Sequence, residues 1–157
     1  MLPLNLPLYP VKIIQSERKQ LIYDPIRKKN VALTPEEWVR QQFIQFLIHE
    51  KGYPPSLLSN EVSILLNGTK RRCDTVLYSN TLKPIVIIEY KSPNVDISQQ
   101  VFDQIVRYNS VLRVPYIIVT NGLRHFCCQL NYEKLNTSFL CDIPDFKTLK
   151  DEYFDAN

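Results

Sequence analysis

The sequence contains no C-x-x-C pair, no internal repeat, no low-complexity linker and no apolar stretch long enough to span a membrane. The first of these absences argues against a zinc site. Four cysteines are present, Cys73, Cys127, Cys128 and Cys141. Without metal-ligand spacing they read as reduced thiols in or near a core, which points to a cytoplasmic setting. Cys127 and Cys128 are adjacent in an expected strand and should point to opposite faces. The N-terminal stretch carries Pro3, Pro7 and Pro10 and no basic leader, so a signal peptide is not expected. A strong charge of one sign is missing too. The net charge of +3 permits nucleic-acid binding without arguing for it. Basic residues cluster at Arg18-Lys19, Arg27-Lys28-Lys29 and Lys70-Arg71-Arg72, while the tail from Asp142 is acidic.

What is present suits one α/β domain. The 157 residues, 45% of them hydrophobic, are enough for a single core. Residues 1–20 read as an extended arm, 21–130 as the core and 131–157 as a C-terminal extension. Leu21 to Leu33 suggests a strand pair turning at Asp24-Pro25 or Lys28-Lys29-Asn30. Thr34-Pro35-Glu36-Glu37 is a helix start, with Thr34 as N-cap, Pro35 in the first turn and Glu37 at the capping-box position. Val39, Phe43, Phe46 and Leu47 then mark one buried face, and Gly52 ends the helix. Because capping occupies Glu37, Glu36 is the acid left free for another task. Glu61 to Leu66 and Lys70 to Tyr78 read as strands around an Asn67-Gly68 turn. On the second strand Arg72, Asp74, Val76 and Tyr78 are expected on one face.

The segment Pro84-Ile85-Val86-Ile87-Ile88-Glu89-Tyr90-Lys91-Ser92-Pro93 reads as a buried strand that ends in two charges. Alternation places Glu89 and Lys91 on the same side. Taken alone, this is also how a strand runs out into a solvated loop. Antiparallel pairing about the loop at 79–83 would set Tyr78 opposite Ile85, Val76 opposite Ile87 and Asp74 opposite Glu89. Opposed side chains lie about 4.5–5.5 Å apart at Cβ. Two carboxylates at that distance repel unless a cation lies between them. A helix capped by Asp96 should follow, burying Ile97, Val101, Ile105, Tyr108 and Leu112, with Gln104 and Tyr108 on one face. Pro115 to Thr120 is the next strand, in a parallel crossover. Asn121-Gly122 turns into Leu123 to Leu130. A short strand near Phe139 and a helix after Pro144 complete the chain. His49, His125 and Trp38 read as structural.

Taken in order, Glu36 on the first helix, Asp74, Glu89-x-Lys91 and Gln104-x-x-x-Tyr108 resemble the PD-(D/E)xK nuclease superfamily. Within it the chain resembles the N-terminal nuclease domain of type I restriction enzyme R subunits, in a short stand-alone form. The stretches Leu33 to Gln41, Arg72-Cys73-Asp74, Ile88 to Pro93, Gln104 to Tyr108 and Val119 to Gly122 carry the likeness, which runs from about Leu21 to Leu130. Cys73 stands where the superfamily often has proline, and no Walker motif follows. The resemblance implies a restriction-endonuclease-like α/β fold, a mixed central sheet flanked by helices. It implies Mg²⁺-dependent DNA hydrolysis, with Mn²⁺ able to substitute. Asp74, Glu89 and the Tyr90 backbone carbonyl would hold the cation. Lys91 would orient the attacking water or stabilise charge, and Glu36 would complete the metal or water shell. Gln104, Tyr108 and Arg72 would support the site or contact DNA. The implied partners are DNA, a second copy in a homodimer, or a separate motor or specificity subunit. Three other readings stay open: a nuclease-fold DNA-binding module, a subunit active only with a partner, and a structural salt-bridge network.

Overall fold

The computed structural model describes residues 1–156. Strands β1 (Ile13–Gln15), β2 (Gln20–Asp24) and β3 (Lys29–Ala32) form a small antiparallel sheet. Helix α1 (Pro35–Lys51) follows, and then β4 (Leu58–Leu66), β5 (Thr69–Tyr78) and β6 (Pro84–Tyr90). Helix α2 (Gln99–Ser110) crosses to β7 (Tyr116–Thr120), and β8 (His125–Asn131), β9 (Asn136–Leu140) and α3 (Phe146–Tyr153) end the fold. The main sheet has the order β4-β5-β6-β7-β8-β9. Among the described residues its one parallel pair is β6 with β7, the pair that α2 connects.

Two layers of apolar side chains sandwich this sheet. On one face Val39, Phe43, Ile44 and Leu47 of α1 and Leu149 of α3 pack against Val86, Ile88, Tyr90, Ile118 and Cys127. The other face carries two smaller clusters. One is built on Val76, Ile87, Leu112 and Val114, and the other on Ile97, Phe102, Ile117 and Cys128. Cys127 and Cys128 thus do face opposite ways. Cys73 is buried as well, but Cys141 is exposed, because it lies just past the end of β9.

Helix α1 starts and stops where local chemistry directs. Thr34 Oγ1 accepts the Glu37 N–H at 3.0 Å, and Gly52 takes φ +73 while its N–H bonds Leu47 O. The expected single apolar face is too narrow a description. Trp38, Glu37, Arg40, Gln41 and Gln42 are buried as well: the N-terminal arm covers Trp38 and Gln42, Arg27 beside the small sheet meets Glu37, and Arg40 packs inward against Asp74 and Tyr90. Gln42 exchanges two hydrogen bonds with the Tyr9 backbone, and Trp38 Nε1 donates to Leu2 O. Trp38 is therefore a packing residue. The arm is also fixed at Asn5, whose N–H donates to Gly122 O at 2.8 Å and whose carbonyl contacts His125 Nε2.

Helix α2 departs from expectation in its cap and in its buried face. Its N-cap is Ser98, whose Oγ accepts the Val101 N–H, not Asp96. Phe102 and Asn109 are its buried residues, while Tyr108 is 49% exposed. The inward stripe is Phe102, Ile105, Val106 and Asn109, and Tyr108 falls beside it on the solvent side.

Candidate active site

Strand β6 delivers two charged side chains to one place. Val86, Ile88 and Tyr90 pack toward α1 and Ile87 packs toward α2, which leaves Glu89 on the α2 side. There Asn109 Nδ2 approaches Glu89 Oε1 at 3.5 Å. The Lys91 N–H donates to Thr120 O at 2.8 Å, so extended geometry carries one residue beyond the strand. Lys91 returns to the face of Glu89. Both residues line a cleft of about 340 Å³ together with Arg72, Gln104, Tyr108 and Asn109.

Strand β5 brings in the second carboxylate. Val76 pairs with Ile87 and Thr75 with Ile88, the register expected from the loop. At the far end the pairing shifts at Leu77/Tyr78, so that Tyr78 meets Pro84 and not Ile85. The bulge is confined to the loop end and leaves the site end in register. The pairing runs as far as Thr75–Ile88, and Asp74 and Glu89 are the next residues on the two strands. Asp74 Oδ2 accepts the Tyr90 N–H at 2.9 Å. Burial, the negative charge of Asp74 and a carboxyl–carboxyl hydrogen bond with Asp74 push Glu89 up to about 8, against the pull of Asn109 and Lys91.

Glu36 reaches the same region from the first turn of α1. Burial and then the charge of Asp74 raise its carboxyl above the usual range, while Lys91 and Arg40 oppose the shift. Glu37 points elsewhere: it binds Arg27 and Gln41 and does not reach back to cap the helix. The Thr34 N–H that a capping box would satisfy is taken by Ala32 O.

The donor set can be judged by its chemistry. Among the described residues, no three His, Cys, Asp or Glu side chains gather closely enough to hold a metal ion. Asp74 and Glu89 nevertheless form the oxygen-only pair that suits Mg²⁺, which usually takes one or two carboxylates and fills its shell with water and phosphate oxygens. Glu36 is then a charged neighbour of the pair and not a third ligand of a closed cage.

One expected neighbour, Arg72, behaves differently from its sequence reading. Arg72 is turned toward Glu61, donating from Nε and Nη2 to Oε2 at 3.0 and 2.7 Å. The strict alternation expected along β5 also fails, because Cys73 packs in one cluster with Val76 and Ile87. Gln104 and Tyr108 both line the cleft, and the Arg71 guanidinium lies 4.5 Å from the Tyr108 ring centroid. Sequence reasoning passed over Arg40, Glu61 and Asn109. Only Asn109 had a legible signal, since it adjoins Tyr108 and lies on the helix five residues after Gln104.

A mixed sheet between two helical layers, with its charged cluster where the middle of β5 meets the end of β6, defines a restriction-endonuclease-like α/β fold. The type I restriction enzyme R protein N terminus family matches residues 35–144, and the chain belongs to it. Among solved structures the chain is similar to a fragment described as an HsdR subunit of a type I restriction enzyme from Vibrio vulnificus YJ016. The two share 20% identity with a TM-score of 0.50 over 76% of this chain, and the chain spans 26% of that one. No curated protein matches the sequence. Among the described residues no helix is long and apolar enough to cross a membrane.

Proposed function

We propose that this domain hydrolyses DNA phosphodiester bonds with the help of Mg²⁺, or of Mn²⁺ in its place. The observation that carries this reading is the Asp74–Glu89 pair, two partly buried carboxylates in contact beside a lysine that makes no ion pair among the described residues. Such a pair is costly unless something neutralises it. Asp74, Glu89 and the Tyr90 carbonyl would hold the cation. When bound, the ion would acidify a water and stabilise charge on the phosphate. Lys91, on the same face as Glu89, supplies positive charge where the phosphate becomes more negative. Glu36 orients water at the edge of the site. Gln104 and Tyr108 meet the DNA backbone at the cleft wall, and Arg72 does so once released from Glu61. Membership in the R-subunit family supports a nuclease-related role.

A second reading rests on length. The chain spans about a quarter of the solved HsdR chain, so activity that depends on a second copy or on a motor or specificity subunit is compatible with the same site. The test is cleavage of linear, supercoiled and branched DNA with Mg²⁺ or Mn²⁺, with Lys91→Ala as control. The reading expects cleavage that requires the metal and falls about 10²-fold or more in the variant, the scale of one lost oxyanion donor. Equal cleavage by parent and variant would overturn it.

A further inference from the structure

The strand pair β4–β5 breaks at one position. Asn60 pairs with Thr75 and Val62 with Cys73, but Glu61 and Asp74 between them do not pair. Glu61 takes φ +54 there, a left-handed conformation rare for a side-chain-bearing residue inside a strand. A broken ladder leaves backbone groups in need of partners. The Asp74 carbonyl finds one in Arg40 Nη1, at 3.3 Å.

Arg40 is well placed for this. It is 3% exposed and enters from α1, on the side of the sheet away from α2. Its Nη2 donates to Glu61 Oε1 at 2.5 Å, and its guanidinium lies 5.5 Å from the Tyr90 ring centroid. One buried cation therefore touches the residue that breaks the ladder, the backbone of the carboxylate the break releases, and the ring of the residue whose N–H that carboxylate accepts. With its strand partner withdrawn, Asp74 is free to turn its side chain toward the Tyr90 N–H and Glu89.

We infer that Arg40 and Glu61 are positioning residues for Asp74, with the guanidinium replacing the missing strand pairing so that the carboxylate is aimed at Glu89. The assignment to a cation site rests on the function proposed above; the positioning of Asp74 does not. The left-handed Glu61 backbone is the local distortion; buried Arg40 holds one oxygen of its carboxylate and the more exposed Arg72 the other.

The test reads the Tyr90 amide without any metal. Hydrogen exchange at Tyr90 and Ile88 is measured by NMR in the parent and in Arg40→Gln, Glu61→Gln and Asp74→Ala. Tyr90 should exchange faster by about tenfold or more in Arg40→Gln and Asp74→Ala, the exchange counterpart of losing one charge-assisted hydrogen bond. Ile88, whose amide Asp74 does not hold, should change far less. Glu61→Gln keeps an oxygen acceptor but loses its charge, so it should give a smaller rise at Tyr90. It also decides the matter if Arg40→Gln fails to fold. Unchanged Tyr90 exchange in whichever variant folds, or equal acceleration at Tyr90 and Ile88, would overturn the positioning role. A parallel Mn²⁺ titration should show weaker binding in the same variants. Parent protein that binds no Mn²⁺ would overturn the nuclease reading, while the Tyr90 exchange would still decide this proposal.

Discussion

Arg27 Nη2 donates to Glu37 Oε1 at 2.5 Å, in a setting where the two side chains are only 15% and 9% exposed. Gln41 donates to the same oxygen, and Arg27 also binds the buried Asp24. Glu37 thus ties α1 to the small sheet, while its neighbour Glu36 faces the charges of Asp74 and Lys91. Glu37→Ala should cost about 3–5 kcal/mol, the scale for removing one partner of a buried ion pair. Glu36→Ala should leave stability nearly unchanged and lower metal-dependent cleavage. Chemical denaturation and the cleavage assay check the two halves separately.

Gly122 takes φ +83, and a Cβ there would lie 2.6 Å from Leu4 Cδ2 and 3.2 Å from Val39 Cγ2. Gly122→Ala combines a strained backbone with a clash against the arm and α1. It should destabilise by about 1–3 kcal/mol, as overpacking usually does. Limited proteolysis should then cut within the first twelve residues, where the parent resists.

Asp24 is fully buried. Burial opposes its ionisation, yet hydrogen bonds from Asn60 and Arg27 and the Arg27 charge hold its carboxyl below the ordinary value. The sign follows from linkage. A folded-state value below the unfolded one, about 3.9, gives stability that is present above the unfolded value and lost as pH falls through the folded one. Acid should therefore weaken the parent below about pH 4. In Asp24→Asn that part of the slope should flatten, as read from urea melts across the range.

The basic turns divide by their surroundings. Arg27 is committed to Asp24 and Glu37, so Arg27→Gln should damage folding and not DNA affinity. Lys70 is exposed on the β4–β5 hairpin and Arg72 is 70% exposed there. Neutralising Lys70 and Arg72 should weaken DNA binding and lower its salt slope by about 0.9 per lost phosphate contact. Fluorescence anisotropy across a salt series measures this.

The parts of this molecule that were legible from sequence are those decided locally. The boundaries of α1 followed from Thr34, Pro35 and Gly52, and β6 from its β-branched run. The Val76–Ile87 register, which brings Asp74 near Glu89, followed from counting across one short loop, because the bulge fell at the loop end of the hairpin. The cap of α2 was misplaced since Asp96 and Ser98 are both good caps, and only packing of Ile97 and Phe102 selects between them. Nothing local marks Glu61 as left-handed or Arg40 as buried. Those features exist only once α1 is laid against the broken β4–β5 ladder.

The central claim is that Asp74 and Glu89 together bind one divalent cation. Titration calorimetry with Mn²⁺ or Mg²⁺, on the parent and on Asp74→Ala, tests it most directly. Because burial and the charge of Asp74 raise the Glu89 carboxyl above the ordinary carboxylate range, cation binding should release a proton there, and affinity should tighten as pH rises. The account predicts a single site in the parent that strengthens with pH and is lost in Asp74→Ala. Identical titrations for the two proteins would contradict it.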